Sequence, residues 1–283
     1  MASATANKPV APAAERKILL VGASRGLGLG LARSFAAHGW TVVATERSAS
    51  GGEGLAAAAA AANGHIRTEL VDINDPQAVQ TLRTQLSGER FDVIFIVAGV
   101  SDKDPTRPVH EVALHEAIHV FVSNAYSPIC FAEAFFDLLK PQGTLAIMTS
   151  RMGSLTLVST AADGSWEVYR ASKAALNMLT RCFHQRHQHE GRTILLMHPG
   201  WVKTDMGGND APVDLATSVE GLYTTLISWH GSASKRSSTI RATSCPGNDS
   251  HPCRLTKRVG PHIVSERLAR KSDIGGRSFA GRC

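Results

Sequence analysis

The chain has 283 residues, 43% of them hydrophobic, and a formal net charge of +6. That is enough apolar material for one α/β domain with extensions or two small domains, and no run reaches the ~18 apolar residues of a membrane span. The charge is uneven: residues 229–283 hold 11 Lys+Arg against 3 Asp+Glu, and residues 1–228 hold 19 against 21. The body is therefore nearly neutral and gives no sign of a nucleic-acid surface; the basic excess belongs to the tail. Five cysteines without paired short spacing fit a reducing cytoplasm better than a disulfide framework.

Residues 1–15 are Ala/Pro-rich with no apolar h-region, and read as a flexible lead-in without a secretory signal. The apolar run 17–21 ends in Gly22-Ala23-Ser24-Arg25-Gly26-Leu27-Gly28, and a helical pattern follows to residue 38. Glycines between a strand and a helix let the backbone turn tightly and approach a pyrophosphate, whose charge sits at the helix N-terminus. The spacing is GxxxGxG rather than GxGxxG, so the placement carries more weight than the pattern. A second strand at 41–45 runs into Glu46-Arg47, where a carboxylate would grip ribose hydroxyls. An alanine-rich helix from residue 55 to 62 has high propensity, and 65–71 is a third strand closed by Asp72-Ile73. Asp75-Pro76 caps the next helix, with Pro at its first position.

The run 91–97 is nearly continuous in apolar residues, as in a parallel sheet buried on both faces, and ends at Ala98-Gly99. Residues 109–139 read as helix, with Asn124 and Pro128 in the middle. A fifth strand at 143–149 leads into Ser150, a helix carrying Tyr169 and Lys173 runs to about 187, and a sixth strand at 193–197 ends in His198-Pro199-Gly200. Strands alternating with helices over more than 200 residues predict an α/β fold, a Rossmann-type doubly wound parallel sheet. Functional residues then gather at carboxyl ends of strands, and Ser150, Asp72, Glu46 and the glycine turn all fall there.

Tyr169 and Lys173 stand four apart and share one helix face. An ammonium held near a phenol favours the phenolate and would draw the Tyr pKa down towards neutrality. A Ser150 hydroxyl brought to the same place would hold a carbonyl oxygen while the Tyr moves a proton. Taken alone, such a pair is more simply an exposed Tyr and Lys on an ordinary helix.

It does not stand alone. Over roughly residues 16–226 the chain resembles the short-chain dehydrogenase/reductase family, through Gly22-x-x-x-Gly26-x-Gly28, Asp72, Asn124, Ser150, Tyr169-x-x-x-Lys173 and Pro199-Gly200. The segments 169–177 and 198–208, with the long Ser-to-Tyr interval, look most like the C-factor/sniffer-like carbonyl reductases. The resemblance implies an NAD(P)-dependent enzyme interconverting a small carbonyl compound and its alcohol. Tyr169 would be general acid and base, Lys173 would lower its pKa and bond the nicotinamide ribose, Ser150 would polarise the carbonyl, and Asn124 would kink a helix and hold a relay water. Gly22, Ser24, Arg25, Gly26, Leu27 and Gly28 would surround the pyrophosphate. Glu46 and Arg47 would meet the adenosine ribose, Asp72 and Ile73 the adenine. Ala98, Gly99, Pro199, Gly200, Val202 and Thr204 would line the nicotinamide side, with Thr204 at the carboxamide.

The chain departs from the family pattern at Val21, where many relatives have Thr, and at Ile96-Val97, where they have Asn-Asn. Glu46 favours NAD; Arg25 and Arg47 would greet the 2′-phosphate of NADP, and the balance falls on NAD because a carboxylate repels that phosphate. A homodimer or homotetramer is left open. The rival to an enzyme is a catalytically silent dinucleotide-binding sensor or scaffold.

Other motifs read more plainly. His115-Glu116-x-x-His119 is a formal HExxH, but it lies inside a helix the fold requires and has no third ligand, so no metal is expected. His184, His187 and His189 read as solvated polar residues, and Cys130 and Cys182 as core or half-buried thiols. Arg151 and Trp166 flank the site as loop filler or substrate contacts. Three domains of behaviour result: lead-in 1–15, catalytic domain 16–228, and a tail 229–283 in which no seventh strand is recognisable. That tail reads as a divergent, disordered C-terminus, with a basic appendage for an acidic partner or nucleic acid as the alternative.

Overall fold

The structure is a computed structural model that describes residues 15–48, 53–155, 165–230 and 239–244. The lead-in, the middle of the loop before Tyr169 and most of the tail lie outside those residues. The strands are β1 (Lys17–Val21), β2 (Thr41–Glu46), β3 (Ile66–Leu70), β4 (Phe91–Ile96), β5 (Leu139–Met148), β6 (Thr193–His198) and β7 (Thr239–Ser244). They form one sheet in the order β3-β2-β1-β4-β5-β6-β7, every pair parallel. The order reverses between β1 and β4, the switch point at which a doubly wound sheet opens its ligand crevice.

The helices are α1 (Gly26–Ala37), α2 (Glu53–Ala61), α3 (Pro76–Gln85), α4 (Leu114–Phe121), α5 (Ser127–Phe135), α6 (Glu167–His187) and α7 (Leu215–Trp229). Two cores explain the continuous apolar strands. Ile18 and Leu20 of β1 face a cluster with Leu31 and Phe35 of α1, Leu55 of α2 and Leu222 and Leu226 of α7. Leu19 and Val21 face the opposite cluster, with Leu82 of α3, Phe131 and Phe135 of α5, and Leu176 and Phe183 of α6. With both faces covered, alternation gives way to unbroken apolar sequence. The departures at Val21 and Ile96 fall inside this second cluster, so they alter sheet packing.

Asp75 caps α3 by accepting a hydrogen bond from Gln77 N at 2.9 Å. Between α4 and α5 the chain widens into a π turn over Val122–Tyr126, with Asn124 at its centre. One extra residue in a helical turn rotates side chains off the ordinary period, and such turns gather at functional sites.

The expectation that no seventh strand follows is corrected. After α7, residues 239–244 pair with β6 from Thr193↔Thr239 to His198↔Ser244. The sequence Thr-Ile-Arg-Ala-Thr-Ser mixes polar and apolar residues, so it lacks the apolar run that marked the others.

Two smaller readings also change. Cys130 and Cys182 are exposed, on the outward faces of α5 and α6. His184 is buried, and His187 sits largely covered between Glu133 and Glu190 beside Phe183; only His189 is exposed. The α6 face that carries Phe183 continues through His184 and His187, so the core extends to the helix end.

Candidate active site

The crevice begins at the glycine turn. Gly22 has φ +90°, a left-handed value that favours glycine, and a Cβ there would stand 2.8 Å from Ala98 backbone. A Cβ at Gly28 would stand 2.0 Å from the Gly22 carbonyl oxygen, so only glycine lets α1 start against the turn. The first residue boundary of α1, Arg25, makes no side-chain cap, and no acidic residue occupies the first turn. The helix therefore presents uncapped N–H groups and its positive end to the crevice, as a bound pyrophosphate requires. Ala98 N donates to Val21 O at 3.0 Å, which brings Ala98 and Gly99 to the same crevice.

Around this turn the other expected contacts are spread as a sheet edge spreads them. Glu46, at the end of β2, is buried, and its Oε2 has no hydrogen-bond partner. Arg47 is exposed. Asp72 follows β3 and accepts from Asn74 N at 2.9 Å, while Asn74 Nδ2 donates to Ser123 Oγ at 2.8 Å. The loop after β6 folds over the turn: Thr204 Cγ2 lies 3.8 Å from where a Gly26 Cβ would be, and Arg25 forms an ion pair with Asp205. That loop is anchored by Ser218 Oγ donating to Pro199 O at 2.7 Å and by a Val202–Val213 bridge. The residues present thus fit a dinucleotide along the carboxyl edge of the sheet.

Tyr169, Lys173, Ser150 and Asn124 meet at the other end of the crevice. Ser150 follows β5 and accepts from Met152 N at 3.1 Å; its side chain stands close enough to the Tyr169 phenol to favour the phenolate. Lys173 is 3% exposed, its Nζ donating to Met148 O at 3.2 Å and standing 5.7 Å from the Tyr169 ring centroid. A Cβ at Gly99 would stand 3.4 Å from Lys173 Nζ and 3.2 Å from Asn124 Oδ1, so Gly99 leaves room for both. Asn124 is fully buried; it accepts from Val100 N at 2.8 Å and donates to Val100 O at 2.8 Å and Ser172 Oγ at 3.0 Å.

The electrostatics run against the expectation of a Tyr pKa near neutrality. Burial pushes the half-buried Tyr169 phenol up to about 12, offset only in part by its Ser150 hydrogen bond. Burial also pulls Lys173 down to about 8. Desolvation disfavours both charged forms, and it outweighs the attraction that i, i+4 spacing implies.

Two residues of this site carried no assigned role in the sequence. Ser172 relays between Asn124 and α6, its Oγ donating to Tyr169 O at 2.7 Å. Gly153 lets the loop after β5 lie on α6, since a Cβ there would stand 2.8 Å from the Lys173 carbonyl carbon. The formal HExxH is otherwise engaged: Glu116 accepts from Lys103 N and pairs with Arg107 at 3.0 Å. Among the described residues no group of three or more His, Cys, Asp or Glu could hold a metal ion, and no helix is long and apolar enough to cross a membrane.

A doubly wound parallel sheet with a glycine-lined crevice and a Ser, Tyr and Lys at its edge defines a dinucleotide-dependent oxidoreductase architecture. The short chain dehydrogenase model matches residues 16–213, and the chain belongs to that family. It is 33% identical over 191 residues to the 1-hydroxy-2-glutathionyl-2-methyl-3-butene dehydrogenase of Rhodococcus sp. (strain AD45), covering 67% of this chain and 79% of that one. The carbonyl reductase of Pseudomonas aeruginosa PAO1 in complex with NADP superposes with a TM-score of 0.72 at 32% identity, over 82% of this chain and 96% of that one. The carbonyl reductase Sniffer of D. melanogaster gives 0.68 at 27% identity, over 80% and 96%. The protein is an NAD(P)-dependent oxidoreductase acting on C=O or CH–OH groups.

Proposed function

We propose that the protein interconverts a small carbonyl compound and its alcohol, with Tyr169 as general acid in reduction and general base in the reverse direction. The observation that carries this is the convergence of Ser150, Tyr169 and the buried Lys173 at one end of the glycine crevice, with Lys173 Nζ 5.7 Å from the Tyr169 ring centroid and Ser150 acting on the phenol. When bound, the nicotinamide ring supplies or accepts the hydride. Ser150 holds the carbonyl oxygen, and the Tyr169 O–H donates its proton to that oxygen as negative charge develops. A phenol kept neutral by burial is the correct form for an acid. Lys173 would hold the nicotinamide ribose, and its ammonium would support the phenolate left after transfer. Asn124 fixes the turn at Val100 and connects by way of Ser172 to α6.

The cofactor preference we propose is NAD. Glu46 places a buried carboxylate with an unsatisfied oxygen at the end of β2, and a fixed negative charge there disfavours a 2′-phosphate. Arg25 is drawn towards Asp205. Dissociation constants for NADH and NADPH, measured by nucleotide fluorescence, test this; tighter NADPH would reverse it, and Glu46→Gln should move the ratio towards NADPH.

Self-association into a homodimer is the assembly we propose. Leu114, Ile118 and Phe121 follow one face of α4 and are all exposed, as is Met178 of α6. Exposed apolar stripes of this kind mark protein contacts. A monomer by light scattering would remove the assignment.

The reaction is tested by following NADH and NADPH absorbance with aldehydes, ketones and quinones. Tyr169→Phe should lose turnover by about 10²-fold or more while nucleotide affinity holds, as removal of a positioned acid predicts. Turnover equal to wild type would overturn Tyr169 as the proton donor, and nucleotide binding without any turnover would favour a silent binding protein.

A further inference from the structure

Trp166 begins α6 in an unusual way. It occupies the N-cap with φ 67° and ψ 30°, a left-handed conformation, and its side chain makes no cap. Caps are ordinarily Ser, Thr, Asp or Asn, and a bulky residue at positive φ is an outlier that persists only where its surroundings hold it. Here they do. Trp166 N donates to Pro105 O at 2.6 Å, Arg170 N donates to Trp166 O at 2.8 Å, and Arg170 Nε donates to Ser165 O at 2.8 Å. The next residue, Glu167, accepts from Val109 N at 2.8 Å. The segment that leaves β4 past Gly99 is thereby latched to the start of the tyrosine helix at two points.

The result of that backbone is a ring contact. The Trp166 and Tyr169 ring centroids lie 5.6 Å apart at an interplanar angle of 77°, an edge-to-face pair. A phenol whose hydroxyl must point at a carbonyl oxygen is placed by two torsions: χ1 swings the oxygen, and the softer χ2 turns the ring and its O–H plane about the axis that carries the oxygen. Ser150 lies towards the hydroxyl end and favours the phenolate, and the indole bears on the ring itself.

We propose that Trp166 is a positioning residue for Tyr169: its pinned left-handed backbone sets the indole edge-to-face against the phenol ring and fixes the direction of the proton-donating hydroxyl. This rests on the reading of Tyr169 as the proton donor. Misplacing a reacting group by about 1 Å costs on the order of a hundredfold in rate, so the contact has a kinetic consequence well beyond its packing.

The test uses the purified full chain, NADH or NADPH, and an aldehyde or ketone that wild type reduces. Trp166→Gly removes the indole while keeping a residue at ease with positive φ, so the fold has no backbone reason to suffer. Its kcat should fall about tenfold to a hundredfold, with the carbonyl KM and nucleotide affinity held within about twofold and the melting temperature retained. Trp166→Phe restores an aromatic edge and should recover most of the turnover, whereas Trp166→Leu, equally apolar but without a planar ring, should not. Wild-type kcat in Trp166→Gly overturns the proposal, as does a raised KM with kcat unchanged, which would make the indole a substrate wall. Should the Gly variant fold poorly, equal turnover in the Phe and Leu variants is the overturning result. Tyr169→Phe runs in parallel: if it keeps turnover, the proton-donor reading itself falls and takes the positioning role with it; if it is inactive while Trp166→Gly is normal, only the positioning role falls.

Discussion

Lys173 Nζ donates to the Met148 carbonyl oxygen at 3.2 Å, tying the tyrosine helix to the end of β5 through a nearly fully buried ammonium. Burial has pulled its pKa from 10.5 to about 8. Between those values the unfolded chain keeps a proton that the folded chain gives up, so stability rises with pH across the window and the penalty is full below pH 8. A shift of this size corresponds to about 3 kcal/mol. Lys173→Met should therefore raise the stability of the nucleotide-free protein at pH 7 by roughly 1–2 kcal/mol, after allowing for the carbonyl left bare. Turnover should be lost. Urea unfolding at pH 7 and pH 10 checks the sign, since the advantage should shrink at the higher pH.

Asn124 is satisfied on both its amide oxygen and its nitrogen, against the backbone of Val100 and the hydroxyl of Ser172. Asn124→Ala strips partners from a buried N–H and a buried C=O at once. A loss of about 2–4 kcal/mol follows from two such groups left unsatisfied. The urea midpoint should drop with the slope unchanged, and turnover should fall further than stability explains, because the same contacts set Gly99 against Lys173. Turnover unaffected at a lowered midpoint would make Asn124 a structural residue only.

The sheet was legible because its chemistry is repetitive. β1 and β4 are buried on both faces, which writes an apolar run, and Asp75 with Pro76 writes a helix start. The glycine turn and the Tyr169–Lys173 pair were legible because steric and spacing rules act locally. What escaped depends on distant residues. The π turn that aims Asn124 is a defect in a helical pattern, and β7 owes its form to pairing with β6. The depression of Lys173 and elevation of Tyr169 come from burial, and the Met148 carbonyl and Gly99 that stand against Lys173 Nζ lie far from it in sequence. Cys130 lies on α5, where a mostly apolar sequence hides which face turns outward, and Cys182 directly precedes the buried Phe183 on α6.

Gly28 offers a test of the crevice alone. Its Cβ would meet the Gly22 carbonyl oxygen at 2.0 Å and Ala23 Cα at 2.9 Å, both backbone atoms that cannot swing aside. Gly28→Ala must push α1 away from the turn, at about 1–3 kcal/mol for overpacking of this kind. Nucleotide affinity should fall by tenfold or more, since the α1 N-terminus moves off the phosphate position by a large part of an ångström. Gly39 is the control: φ is +75°, nothing lies within 4 Å of its Cβ, and it stands at the far end of α1. Gly39→Asn should leave nucleotide binding intact, and equal losses in the two variants would show that the crevice is not the cause.

The β6–β7 ladder makes the last prediction. Six register pairs join Thr193–His198 to Thr239–Ser244, and β6 also carries Ile194, Leu195 and Met197 into the cores. A chain ending at residue 230 leaves the outer N–H and C=O groups of β6 without a strand partner, and bare edges invite pairing between molecules. At roughly 0.5–1.5 kcal/mol for each ladder hydrogen bond, the loss is several kcal/mol, a large share of a domain's stability. The truncated chain should therefore melt well below the full chain and aggregate by light scattering, while a chain ending at residue 246, which retains β7, should not. Equal melting of the two would mean that β7 contributes little and that β6 tolerates life as an edge.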